Sequence, residues 1–147
     1  MRQVRMVGVG HKPDVLRVAV AEGRIVLRPE TLRRVREGRV EKGDPLLIAQ
    51  LAGILAAKKT PELVPLCHPI PITKVDVELQ VQEDGILARA RVEAVAKTGV
   101  EMEALTAVSA ALLAVWDVVK QYEKDEAGQY PHTRITDIRV VSKLKEG

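Results

Sequence analysis

The chain has 147 residues, of which 46% are hydrophobic and 29% charged, with 23 Lys and Arg against 20 Asp and Glu. That composition suits one domain with a real core and excludes intrinsic disorder, and a net charge of +3 is too small to argue for nucleic acid by itself. One cysteine excludes an intrachain disulfide, and a chain with no Phe, one Trp and two Tyr has almost nothing with which to stack bases. Asn is absent too, which beside abundant Arg, Lys and Glu points weakly to a heat-adapted source.

The N-terminal segment MRQVRMVGVGHKPDV lacks the apolar core of a signal peptide. Leu16 to Leu27 reads as two short strands, LRVAVA and RIVL, turned at Glu22-Gly23. Arg28-Pro29 opens a short helix, ETLRRVREG, that stops at Gly38. Its run of Arg33, Arg34, Arg36 and Arg39 reads as a solvated basic face. A second helix starts at Asp44, a good N-cap, with Pro45 at the first helical position. Its body, LLIAQLAGILAA, has almost no polar face, and Lys58-Lys59 close it where cations suit the helix dipole. Thr60-Pro61 breaks it.

A stiff, non-helical loop, TPELVPLCHPIPIT, is predicted next, punctuated by Pro61, Pro65, Pro69 and Pro71. Lys74 to Val81 and Ile86 to Val95 alternate as a hairpin around Glu83-Asp84-Gly85, with one apolar and one polar face. A third helix is predicted from about Val100 to about Tyr122. Its uncharged run, Ala104 to Trp116, is well short of the roughly 20 apolar residues of a membrane span. A helix apolar all round is buried on more than one side, and in so small a domain another subunit is expected to supply part of that burial. TRITDIRVV reads as a last strand. The expectation is one α+β domain over residues 1–147, with helices over an antiparallel sheet, cytoplasmic and without a membrane segment.

Three segments place polar groups where a plain scaffold needs none. Cys67-His68 offers a histidine on a rigid loop, or simply a buried cysteine beside a surface histidine, and composition favours the second. A zinc site is disfavoured, because Cys67 and three histidines show no ligand spacing. Glu101 and Glu103 flank Met102 at the start of the third helix, where acids also suit the dipole. Asp117 and Lys120 stand at i, i+3, either as a surface ion pair or as an acid/base carboxylate tuned by an ammonium. Lys42, beside Gly43 and ahead of the Asp44 cap, could bind phosphate with the helix amides or be solvated.

The segments KGDPLLIAQLAGILAAKKTPELVPLCHPIPITKVDVELQ and KTGVEMEALTAVSAALLAVWDVVK, in that order, closely resemble the molybdenum cofactor biosynthesis protein C family, over about Glu30 to Lys124. The resemblance implies a ferredoxin-like α+β fold, assembled as a hexamer of three dimers with active sites between subunits. It implies that a cyclised dihydro-GTP, made by a radical enzyme, is rearranged to cyclic pyranopterin monophosphate with release of pyrophosphate. It implies no redox cofactor; Mg²⁺ could accompany the triphosphate, although no metal-ligand motif is visible.

By the same resemblance, Asp117 matches the acid/base residue, and Lys42 and Lys120 match catalytic positions. Leu66, Cys67 and His68 match one substrate-binding stretch, and Glu101, Met102 and Glu103 another. Lys97 and Arg17 match positions of lower rank. The chain departs from the family at Met6-Val7-Gly8-Val9-Gly10, where an acid and a hydroxyl are missing, at Val15, where a threonine is expected, and in VSKLKEG, which lacks the glycine-rich tail.

On one straight helix, Glu103 and Asp117 are about 21 Å apart along the axis, too far for the reacting atoms of a pterin-sized substrate. Two such helices antiparallel about a two-fold would bring Glu103 of one chain to Asp117 and Lys120 of the other, with Ala104 to Trp116 as the contact. A reading of another class is a non-catalytic ferredoxin-like module that binds purine nucleotides or assembles other subunits; it needs the cations but not the carboxylates.

Overall fold

The computed structural model describes residues 2–147. Four strands form one antiparallel sheet: β1 (Val15–Val26), β2 (Ile72–Val81), β3 (Gly85–Ala96) and β4 (Arg134–Glu146), in the order β2-β3-β1-β4. Between β1 and β2 run α1 (Pro29–Glu37), α2 (Pro45–Lys58) and a single turn, α3 (Thr60–Leu63); between β3 and β4 runs α4 (Glu101–Glu123). Each crossover skips a strand, so β1 and β3 lie side by side at the centre, the βαββαβ arrangement of a ferredoxin-like fold. The helices lie on one face.

The two central strands present a floor of small side chains to α4. In register, Ala19 faces Val92, Ala21 faces Ala90, Gly23 faces Ala88 and Ile25 faces Ile86, and the alanines among them are fully buried. Val108, Ala111, Leu112 and Val115 of α4 complete the core. A Cβ on Gly23 would stand 3.0 Å from Val108 and 2.8 Å from Ile138, closer than packed carbons approach.

This corrects the sequence expectation at Glu22-Gly23. The glycine does not turn the chain: β1 is one unbroken strand paired along β3, and Gly23 lies within it where Ile138 of β4 and the helix above leave no room for a side chain. The irregularity there belongs to β4, whose register to β1 shifts between Glu22 and Arg24.

Helix boundaries follow local chemistry. The Asp44 carboxylate accepts the Leu46 amide at 2.9 Å and Pro45 occupies the first turn of α2, as expected. Thr60-Pro61 ends α2 but starts α3, because Pro61 is tolerated at the head of a new turn; the expected non-helical loop therefore begins after Leu63. The hairpin forms with the predicted pairing, and β4 extends five residues past Val141.

The burial of α4 is partial within the protomer. Val108, Ala111, Leu112, Val115 and Val119 are covered by the sheet below and by α2 at its side, while Met102 and Leu113 stay exposed. The apolar side chains left exposed include the stripe Leu47, Leu51 and Leu55 on α2, Leu113 on α4, and Ile138, Val140, Val141 and Leu144 on β4. By length and a mean hydropathy of 1.6 over its apolar window α4 matches a membrane span, which the count of uncharged residues alone had excluded; half of that window is buried against the fold.

The start of α1 is capped from a distance. Arg28 stands at the N-cap with no side-chain bond of its own. Glu123, the last residue of α4 and 1% exposed, takes that role. Its carboxylate accepts the Arg28 amide at 3.0 Å, the Thr31 hydroxyl, and the Thr133 hydroxyl at 2.6 Å. One side chain thus joins α1, α4 and the entry to β4. Glu123→Ala should cost about 3 kcal/mol, since hydrogen bonds to charged groups contribute about 1.5–3 kcal/mol each and buried donors are left without partners. Thermal unfolding of the variant checks this, and an unchanged midpoint would contradict it.

Candidate functional site

Two groups of candidate residues form at opposite ends of α4. At its C-terminal end the loop between α1 and α2 lies across the helix. Gly43 adopts φ 129, a conformation that L side chains rarely take, so the chain can turn from Lys42 into the Asp44 cap. Lys42 Nζ stands 3.4 Å from Asp117 Oδ2, and Lys120 Nζ 3.1 Å from Oδ1. With Glu41, Val118 and Gln121 these residues line a cavity of about 360 Å³. The hydrogen bond from Lys120, then that from Lys42, hold the Asp117 carboxyl below its ordinary range. Lys42, far from Asp117 and Lys120 in sequence, therefore joins them in one cluster.

At the N-terminal end, the proline-rich loop lays Cys67 and His68 against the first turn of α4. Glu103 is 1% exposed, and its Oε2 accepts the Cys67 thiol at 3.7 Å. Burial pushes the Glu103 carboxyl up, only partly offset by its own amide and by the thiol. Burial first, then the neighbouring Glu103 charge, raises the Cys67 thiol, so it is a hydrogen-bond donor and not a thiolate. Cys67 is thus half-buried and bonded to a candidate acid, more than the inert core cysteine that composition favoured.

His68 Nε2 and Glu103 Oε1 are buried with no hydrogen-bond partner among the described residues. Orphaned polar atoms of that kind are rare in folded proteins, and these two are open to a water, an ion or a substrate group. His68 also lines a cavity of about 320 Å³ with Val9, Asp14 and Lys97. Leu66 and Met102, 43% and 40% exposed, flank this end as apolar surface.

Arg17 and Lys97 support this end. Arg17 is buried and donates to the carbonyls of Ala96 and Lys97 at 3.3 and 3.0 Å. Lys97 donates to the Lys12 carbonyl at 3.1 Å and faces Asp14 at 3.7 Å.

Lys143 of β4, which the sequence reading did not single out, places its Nζ 3.8 Å from Glu101 Oε1. Its signal was the continued strand beyond Val141. The basic run of α1 is only partly a solvated face: Arg34 stacks on the Tyr122 ring at 4.4 Å, and Arg36 donates to the Gln82 carbonyl at 2.9 Å.

Glu103 and Asp117 do not line a common cavity within the protomer. A larger cavity, about 780 Å³, lies elsewhere, between Arg28, Glu123, Lys124 and His132. Glu123 and His132 there are engaged by internal hydrogen bonds. No group of three or more His, Cys, Asp or Glu side chains among the described residues is placed to hold a metal ion.

The raised Glu103 carboxyl has a consequence for stability. Its folded state binds a proton more tightly than the unfolded chain does, so its share of stability is present at low pH and is lost as pH rises through the folded value. Glu103→Gln mimics the protonated form at every pH. The variant should be the more stable protein at neutral pH, with the difference vanishing below the ordinary carboxylate range; melting curves against pH measure it, and a difference that grows toward acid would contradict the assignment.

Comparison with known proteins gives one answer. The model of the MoaC family matches residues 6–146. A protein of Pyrococcus abyssi named "Probable cyclic pyranopterin monophosphate synthase" is 63% identical over 142 residues, 97% of this chain and 89% of the relative. One of Sulfurisphaera tokodaii with the same name is 57% identical over 145 residues, 99% of this chain and 96% of the relative. One of Methanothermobacter thermautotrophicus, 56% identical over 97% of this chain and 89% of the relative, is named as an accessory protein of that synthase.

Proposed function

The chain belongs to the MoaC family, and from that premise we infer that it is a cyclic pyranopterin monophosphate synthase of molybdenum cofactor biosynthesis, acting on a cyclised dihydro-GTP and releasing pyrophosphate. The observation that carries the site assignment is the Asp117 carboxylate held between two ammonium groups beside a cavity.

The residue types suit that chemistry. Opening and re-closing rings moves protons at several atoms, which calls for groups poised as acid and as base. The two carboxylates of the set are pushed in opposite directions, and such a split separates the roles. Asp117, ionised and exposed, is the proton acceptor. Glu103, whose burial favours its protonated form, is the donor.

The cyclic phosphate forms when a sugar hydroxyl attacks the α-phosphorus; the bond to the β-phosphate oxygen breaks, and pyrophosphate leaves with the electron pair. Lys42 and Lys120 would stabilise the negative charge that develops there, and His68 Nε2 would donate to the substrate. The reaction balances without an oxidant or reductant, so we invoke no redox cofactor. Leu66, Cys67, Glu101 and Met102 complete the binding surface, Cys67 through its bond to Glu103. Asp117→Asn and Lys42→Ala should each leave a folded protein with pyrophosphate release reduced by at least 10²-fold, the usual scale for a lost acid/base or charge-stabilising group. Near-normal turnover in either variant removes that residue from the mechanism.

The two groups lie about 21 Å apart along α4, so we propose that each active site joins the C-terminal group of one protomer to the N-terminal group of another, in a cytoplasmic homo-oligomer built as three dimers. The exposed stripe Leu47, Leu51 and Leu55 on α2 supports this: it is apolar surface on a helix packed against α4, which spans the two groups and itself exposes Leu113. Mixing Asp117→Asn with His68→Ala, each inactive alone, should restore about a quarter of the sites after subunit exchange, because half of the random pairs are hybrids and each hybrid holds one intact site. No recovery in confirmed hybrids would place both groups of a site in one chain.

A further inference from the structure

The loop that carries Lys42 is exposed from Glu41 to Asp44. Its internal hydrogen bonds are local: the Arg39 amide to the Arg34 carbonyl at 2.8 Å, the Gly43 amide to the Val40 carbonyl at 3.2 Å, and the Leu46 amide to the Asp44 carboxylate at 2.9 Å. These bonds shape the turn, but none of them ties it to α4.

Among the described residues one hydrogen bond links the backbone of this loop to α4: the Glu41 amide donates to Tyr122 Oη at 3.0 Å. The ring of Tyr122 is held in turn by α1, with the Arg34 guanidinium 4.4 Å from its centroid. The Tyr122 carbonyl accepts Arg28 Nη1 at 3.1 Å. A helix, a loop and a second helix therefore meet on one aromatic side chain, immediately next to the residue that reaches Asp117.

The lysine itself cannot supply this order. Its side chain is 48% exposed, and its two bonds to Asp117, to Oδ2 and to the backbone carbonyl, are both long, at 3.4 Å. A lysine stem carries about 2 kcal/mol of rotamer entropy, more than an exposed ion pair returns. The ammonium is localised only as well as the backbone beneath it.

We propose that Tyr122 is a positioning residue for Lys42: by accepting the Glu41 N–H, its hydroxyl sets the loop so that the Lys42 ammonium lies over the Asp117 carboxylate. Its effect on turnover rests on the reading of Lys42 and Asp117 as catalytic; its effect on their geometry does not.

Tyr122→Phe tests both in the full-length protein, because it keeps the ring beneath Arg34 and removes only the oxygen. The first measurement is the titration of Asp117 by carboxyl NMR, in an environment set by Lys120, Lys42 and Glu41. The Asp117 midpoint should rise in Tyr122→Phe, in the direction that Lys42→Gln moves it, and should rise no further when the two changes are combined. The second is steady-state turnover: kcat should fall about tenfold with KM little changed, since displacement of a catalytic group by about 1 Å can cost up to 10²-fold.

An Asp117 titration in Tyr122→Phe identical to that of the wild type overturns the proposal, whatever turnover does. A shifted titration with unchanged turnover upholds the positioning and removes Lys42 from the chemistry. Should Tyr122→Phe fail to fold, Arg34→Leu, which releases the ring without altering it, carries the same test with a smaller shift in the same direction.

Discussion

Close contact between α4 and a floor of alanine and glycine is the constraint on which the rest of the molecule depends. Ala19, Ala21 and Gly23 of β1 and Ala88, Ala90 and Ala94 of β3 bring the sheet so near that Val108 and Leu112 occupy the space a side chain at Gly23 would need. Interiors are packed to crystal density, and an added methyl group is felt. A chain without Phe builds its core in this way, by bringing backbones together instead of filling the gap with rings. The result is a 23-residue helix held on one side by the sheet and on another by α2, with functional groups left for its two ends.

Those ends treat the same functional group in opposite ways. Glu103 is taken out of water, which favours the neutral acid, and the one hydrogen bond from its neighbouring thiol only partly offsets that. Asp117 is left in water between two ammonium groups, which favours the anion. Desolvation and charge pairing are the two main ways to move a carboxyl pKa, and this helix carries one of each. Sequence identity alone does not separate the roles, because each acid stands in an apolar helix near other ionisable residues.

What could be read before the fold was known follows the range of the interactions concerned. The α2 start was legible because Asp44 and Pro45 act within one turn, and the hairpin because alternation and Glu83-Asp84-Gly85 are local signals. Gly23 was misread as a turn because its reason is a helix and a strand more than eighty residues away in sequence. Thr60-Pro61 signals both an end and a beginning, and α3 takes the second meaning.

The candidate site was legible through its motifs, Leu66-Cys67-His68 and Glu101-Met102-Glu103. The residues that organise it were not. Tyr122 acts on Glu41, Glu123 caps Arg28 and Thr31, and Lys143 reaches Glu101, all across separations that leave no periodic or compositional trace.

A straight helix between two working ends also behaves as a ruler graduated in residues. Glu103 and Asp117 are separated by close to four full turns, so they project within roughly 40° of each other about the axis. A single inserted or deleted residue between them would swing one end by about 100° and slide it by about 1.5 Å, while lifting Val108 and Leu112 off their seat over Gly23. Descendants of this fold are therefore free to exchange side chains along the span, but its length is in effect quantised.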